Sequence, residues 1–129
     1  MMAEKARVFR DDAALAKILR STAPRAQKEA GRAVRDYLEE RWAPVRYGIV
    51  LRGTIEKYRQ NPQLWKLLEA TGERLLVEAS TTDRIWGIGL SPDDPRALDP
   101  AQWLGQNLLG RAITEARETL RKGAAKTAL

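Results

Sequence analysis

A mainly α fold is predicted: a compact multi-helix domain with one short strand or small hairpin near residues 75–90, an α+β remnant. Three observations carry this expectation. Apolar residues recur at helical spacing through most of the 129 residues, with Asx and proline residues standing where helices would begin. Only residues 75–79 (LLVEA) read as a strand, with residues 85–90 as a second strand across residues 80–84. Hydrophobic residues make up 43% and charged residues 31%, the balance of a folded chain rather than a disordered one.

Each element has its own local reason. Residues 2–9 (MAEKARVF) read as a short helix with Met2, Ala6 and Phe9 on one side. Asp11 or Asp12 caps a second helix with Leu15, Ile18 and Leu19 as its stripe. Pro24 suits the first position of a third, running to about Gly31. Asp36 caps a stretch with Tyr37, Leu38 and Trp42, and Pro44 opens a longer helix with Val45, Ile49 and Tyr58. Asn61-Pro62 starts a helix with Leu64, Leu67 and Leu68 that stops at Gly72. Residues 91–98 read as a loop. Asp99-Pro100-Ala101-Gln102 is a capping box and predicts a helix start, interrupted by Gly105. Residues 108–120 form a last amphipathic helix, closed by Gly123. The domain is expected over residues 1–122, with a tail over 123–129. A lone strand needs backbone partners that this chain barely supplies. Either the hairpin leans on helices or partner strands are missing; in the second case an exposed apolar edge and self-association into a homo-oligomer are expected.

Charge and composition exclude several functions. The net charge is +6, divided as +6 over residues 1–60, −3 over 61–110 and +3 over 111–129. A basic chain invites a nucleic-acid reading, but most basic residues alternate with acids, as on a solvated face, and no recognition face is visible. There is no His and no Cys, which excludes Ser-His triads, thiolate nucleophiles and the usual zinc sites. No metal and no cofactor is expected. No apolar run reaches the ~20 residues of a membrane span, and no secretory leader is visible, so no membrane association and a cytoplasmic location are expected.

Residues 76–90 are the densest chemical candidate. Glu78 would face opposite to Val77 and Ala79 on a strand, and Asp83 sits in the turn. Trp86 precedes Gly87, which admits a close backbone or a flat ligand. Two carboxylates beside an aromatic platform suit stabilisation of a developing cation. Spacing alone equally describes a solvent-facing Glu, a turn Asp and a core Trp. Asn107, after Gly105, either binds an anion with the free N–H groups of a helix start or is simply a cap. Lys5 is either a solvated side chain or, if desolvated, a carbonyl-attacking amine. Arg32, beside Gly31, is a phosphate fork or a surface ion pair.

Taken in order, MMAEKARVF, Gly31-Arg32, KYRQNPQL (57–64), LEATG (68–72), LVE (76–78), DRIWGIGL (83–90) and WLGQNLLG (103–110) resemble the NADAR family, also called YbiA-like, from Met1 to about Leu120. The resemblance implies an N-glycosidase that hydrolyses the C1′–N bond of phosphorylated ribosylamines of riboflavin biosynthesis, or of ADP-ribose conjugates such as ADP-ribosyl-guanosine. Its implied partner is a small nucleotide or ribosyl-phosphate substrate, with ADP-ribosylated guanine among the candidates. It implies Lys5, Asp83 and Glu78 as catalytic residues, and Trp86, Gly87, Asn107 and Arg32 as substrate-binding residues. These residues are expected to converge on one cleft. The family's usual opening, with an FSNF-like motif, a hairpin and a Glu-His pair, has no counterpart here. The expectation is therefore a YbiA-like fold missing its N-terminal strands. The alternative is a catalytically impaired remnant that binds ADP-ribose or another nucleotide, or serves as an interaction module.

Overall fold

The computed structural model describes residues 1–128, and side chains to residue 124. Among the described residues there are six α-helices, two short 3-10 turns and no strand. The helices are α1 (Met2–Val8), α2 (Asp12–Arg20), α3 (Pro24–Arg32), α4 (Glu39–Arg59), α5 (Pro62–Glu69) and α6 (Leu108–Ala128). No helix is long and apolar enough to cross a membrane. The chain forms two compact units, Met1–Ile49 and Val50–Leu129.

The first unit is built on one apolar cluster of Ala6, Phe9, Ile18, Ala30, Val34, Trp42 and Ile49. Gly31 is buried where α3 meets α1, and a Cβ there would collide with the Met2 sulfur. Asp11 does two jobs. Its Oδ1 accepts the Ala14 N–H at 3.0 Å and caps α2, while Oδ2 accepts the Arg35 N–H at 2.9 Å. These bonds hold the Asp11 carboxyl below its usual range. Asp36 is not a helix cap: it adopts φ 56°, and the next helix begins at Glu39 with Leu38 accepting the first bonds. Pro44 lies inside α4 rather than opening it. It is six positions after Leu38, and the residue left without its N–H donor, Glu40, is exposed to water.

The second unit corrects the strand expectation. Residues 75–79 pair with no neighbouring strand, and residues 85–90 do not form one. The partner of residues 76–78 is a side chain. The Asn107 carboxamide donates from Nδ2 to the Leu76 carbonyl at 3.0 Å and accepts the Glu78 N–H on Oδ1 at 2.9 Å. That is the pattern by which a parallel strand would bracket Val77. A single Ile88 N–H to Glu78 carbonyl bond of 2.9 Å completes the tie. Two isolated ties are too few to make a ladder, which is why alternation of apolar residues misled here.

The capping-box helix is also corrected. Asp99 does cap, accepting the Ala101 N–H at 3.1 Å, but only a 3-10 turn (Pro100–Gln102) follows. Trp103 turns extended, and its indole N–H donates to the Ala97 carbonyl at 3.0 Å. A second 3-10 turn (Pro95–Leu98) stands where a loop is expected. The last helix runs through Gly123 to Ala128 rather than closing at Gly123, and Leu129 lies outside the described residues. Buried Arg117 braces this unit, donating to Thr71 Oγ1 at 2.8 Å and to the Arg74 carbonyl at 3.0 Å.

Candidate functional site

Lys5 and Arg32 belong to the first unit; Glu78, Asp83, Trp86, Gly87 and Asn107 belong to the second. Lys5 is one turn into α1 and half-buried. Its Nζ stands 4.4 Å from the centre of the Tyr37 ring and 6.0 Å from that of Trp42. Burial lowers its pKa, Glu39 counters by raising it, and Arg32 adds to the lowering. Arg32 itself is exposed at the end of α3. Tyr37 and Glu39 escaped the sequence reading as site residues. Their position beside Lys5 is set by the turn at Asp36, and no spacing signal announces it.

In the second unit, carbonyl groups of residues 84–88 face N–H groups of residues 104–109. Leu104 donates to Ile88 (2.8 Å), Gln106 to Arg84 (2.9 Å), Asn107 to Gly87 (3.0 Å), Leu108 to Ile85 (3.2 Å) and Leu109 to Trp86 (3.0 Å). The first two N–H groups of α6, those of Leu108 and Leu109, are therefore spent on protein carbonyls and are not free for a phosphate, which differs from the anion-binding alternative. Close approach demands small residues: a Cβ at Gly105 would collide with the Gly87 carbonyl, and one at Gly110 with the Leu76 carbonyl.

Asn107 is 1% exposed and adopts φ 53°, the left-handed region that Asn tolerates best after Gly. Its carboxamide is committed to Leu76 and Glu78, so its part is to hold Glu78 rather than to touch a ligand. Asp83 Oδ1 accepts the N–H groups of Ile85 (3.0 Å) and Trp86 (2.8 Å), forming the turn that sets Trp86. Asp83 Oδ2 keeps no bond among the described residues. Trp86 is half-buried, and Gly87 is buried against the Asp83 and Glu78 carbonyls.

Glu78 is the least committed polar group of this segment. No hydrogen-bond or ion-pair partner of its carboxylate occurs among the described residues, and its oxygens stay within reach of solvent. It borders a groove of about 310 Å³ whose walls include Tyr58, Leu68, Leu76 and Ile113. A carboxylate in that setting can face a developing positive charge. No cluster of three carboxylates able to hold a metal occurs among the described residues.

The sequence matches one domain family and several named proteins. The NADAR domain profile matches residues 1–121. N-glycosidase R617 of Acanthamoeba polyphaga mimivirus is 39% identical over 118 residues, covering 92% of this chain and 69% of that protein. Protein irg-1 of Caenorhabditis elegans is 38% identical over 105 residues, 80% of this chain and 50% of that one. N-glycosidase YbiA of Escherichia coli is 28% identical over 116 residues, 90% of this chain and 66% of that one. The chain thus spans between 50% and 69% of the length of these relatives. With a family profile that matches nearly all of it, the chain belongs to the NADAR domain family.

Proposed function

We propose that the chain is an N-glycosidase that hydrolyses the C1′–N bond of a phosphorylated ribosylamine or an ADP-ribose conjugate. The observation that carries this is Lys5: an amine half-buried against two aromatic rings, in a family whose relatives are named N-glycosidases. Cleavage of the C1′–N bond builds positive charge on the ribose. The carboxylates of Glu78 and Asp83 are the groups suited to oppose it. Ring opening moves the positive charge onto a C1′ iminium of the base nitrogen; Lys5 adds to C1′ as the neutral amine, a proton passes from its nitrogen to the base nitrogen, and the C1′–N bond to the base breaks so that the base leaves as N–H. The protonated Schiff base that remains on Lys5 is hydrolysed by water, which returns the free amine and the sugar aldehyde. Trp86 offers a face to the base or ribose, and exposed Arg32 offers a fork to phosphate.

The test is chromatographic detection of free base after incubation with a ribosylaminopyrimidine phosphate or ADP-ribosyl-guanosine. Base release is expected from the parent chain, with a loss of about 10²–10⁴-fold in Asp83→Asn and in Lys5→Ala. Binding of these compounds without any base release would favour the nucleotide-binding alternative. Full activity in both variants would remove these two residues from the chemistry.

A further inference from the structure

Tyr37 is an odd residue to find anchored. It is 40% exposed, yet three contacts fix it. Its hydroxyl donates to Glu39 Oε2, its ring lies tilted on Phe9 at 5.4 Å between centres, and its other neighbour is the Lys5 amine at 4.4 Å. Glu39 is locked in turn by Arg46 at 2.6 Å. A tyrosine serving only to fill the core would bury its ring. This one holds a chain from Arg46 through Glu39 to a ring face, and the chain ends on an amine.

We infer that Tyr37 is a positioning residue for Lys5: its ring face fixes the amine, and the Glu39–Arg46 pair fixes the ring. The inference rests on the reading of Lys5 as the carbonyl-attacking amine. Its chemical sense lies in charge. Neutral amine, aldehyde and one proton give an iminium and one water. The electron-rich face of Tyr37 attracts the resting ammonium and the iminium alike, so Nζ keeps one place through the cycle.

The other charges around Lys5 have other partners or act from a distance. On α1, Glu4 and Arg7 pair with each other. Arg41 donates to the Val8 carbonyl at 2.8 Å and covers Phe9. Arg35 pairs with Asp11, and Arg32 of α3 opposes the ammonium by charge alone. Glu39 is therefore the carboxylate that favours the charged amine.

Two measurements test the inference on the full chain. Reductive trapping with ribose 5-phosphate and cyanoborohydride, read by intact mass, reports the Schiff base. Side-chain NMR titration of the Lys5 Cε signal, assigned by its loss in Lys5→Arg, reports the amine. Trapping is compared above the Lys5 midpoint, where the amine is neutral in every variant. Tyr37→Leu is expected to trap about tenfold more slowly, the factor a partly desolvated cation–π contact carries. Tyr37→Phe, which keeps the ring, is expected to lose less than about half of that effect on a logarithmic scale. Glu39→Gln is expected to move the Lys5 midpoint downward, because the charge that raises it is gone. Tyr37→Leu trapping at the parent rate, with Lys5→Arg untrapped, overturns the positioning role and leaves the Lys5 reading intact. Undiminished trapping in Lys5→Arg overturns the Lys5 reading itself. A Tyr37 that merely packs would lower the melting temperature without changing trapping or midpoint, which also overturns the inference. Should Tyr37→Leu fail to fold, Tyr37→Phe and Glu39→Gln decide it, since neither removes packed volume.

Discussion

Replacing Asn107 with alanine should cost the second unit about 3–5 kcal/mol. The figure follows from its bonds. The substitution strands the Glu78 N–H and the Leu76 carbonyl, which the carboxamide now satisfies at 2.9 and 3.0 Å. Each of these part-buried groups, left unpaired, costs about 1–2 kcal/mol, the lower part of the range for full burial. Alanine also tolerates φ 53° worse than asparagine, adding about 1 kcal/mol. Set against a typical stability of about 5–15 kcal/mol, the loss is large enough to measure and small enough to leave a folded protein in many cases. Urea unfolding followed by tryptophan fluorescence gives the total. Asn107→Gly separates the parts: it loses the same two bonds without the backbone strain, so it should be about 1 kcal/mol more stable than Asn107→Ala. Amide exchange at Glu78 should quicken in both. An alanine variant within about 1 kcal/mol of the parent, with slow exchange at Glu78, would refute the claim that this side chain substitutes for a missing strand.

Two further substitutions test the packing and the electrostatics. Gly110→Ala should destabilise by about 1–2 kcal/mol in the same assay, because its Cβ meets the Leu76 carbonyl and the Asn107 side chain, outweighing alanine's better helix propensity. Asp11 carries a pH dependence. Its folded pKa lies below the ordinary 3.8, so its stabilising effect is whole above that value and is lost as pH falls through the depressed one. Acid unfolding of the parent should therefore steepen below about pH 4, and Asp11→Asn should be less stable at neutral pH with a flatter acid limb.

How much the sequence made legible differs between the two units. In the first, local signals suffice: Asp11 caps α2 and Pro24 opens α3, as expected, because a cap and a first-turn proline act within four residues of themselves. The left-handed turn at Asp36 and the start of α4 at Glu39, which places Pro44 inside that helix, are not announced by any local signal. In the second unit, residues 75–79 read as a strand but form none among the described residues, because a strand depends on a partner. Here the partner is one amide 29 positions away from Glu78. At Asp99 the capping box was read correctly as a cap, but the helix expected from there to Gly105 is only a 3-10 turn that ends where Trp103 turns extended. The site residues themselves came from ordered motifs rather than from periodicity, and the surroundings of Lys5 were invisible until Tyr37 and Glu39 were placed.

The way polar groups are spent in the two units points to where chemistry can reside. Around the start of α6, almost every backbone donor and acceptor is used inside the protein: residues 104–109 donate to residues 84–88, Asn107 holds 76 and 78, and Asp83 Oδ1 holds Ile85 and Trp86. What remains is side-chain chemistry, and in this unit the clearest remainder is the Glu78 carboxylate, fixed at its backbone by Asn107 and Ile88 but unpaired at its tip. The first unit shows the same economy around its own uncommitted group. Glu39, Tyr37 and Arg46 satisfy one another, and the Lys5 amine is left against ring faces rather than in an ion pair. Under the proposed N-glycosidase reading, Glu78→Gln and Lys5→Ala, each argued within its own unit, are therefore expected to lower base release in the chromatographic assay, and base release at the parent rate in either variant would remove that side chain from the chemistry.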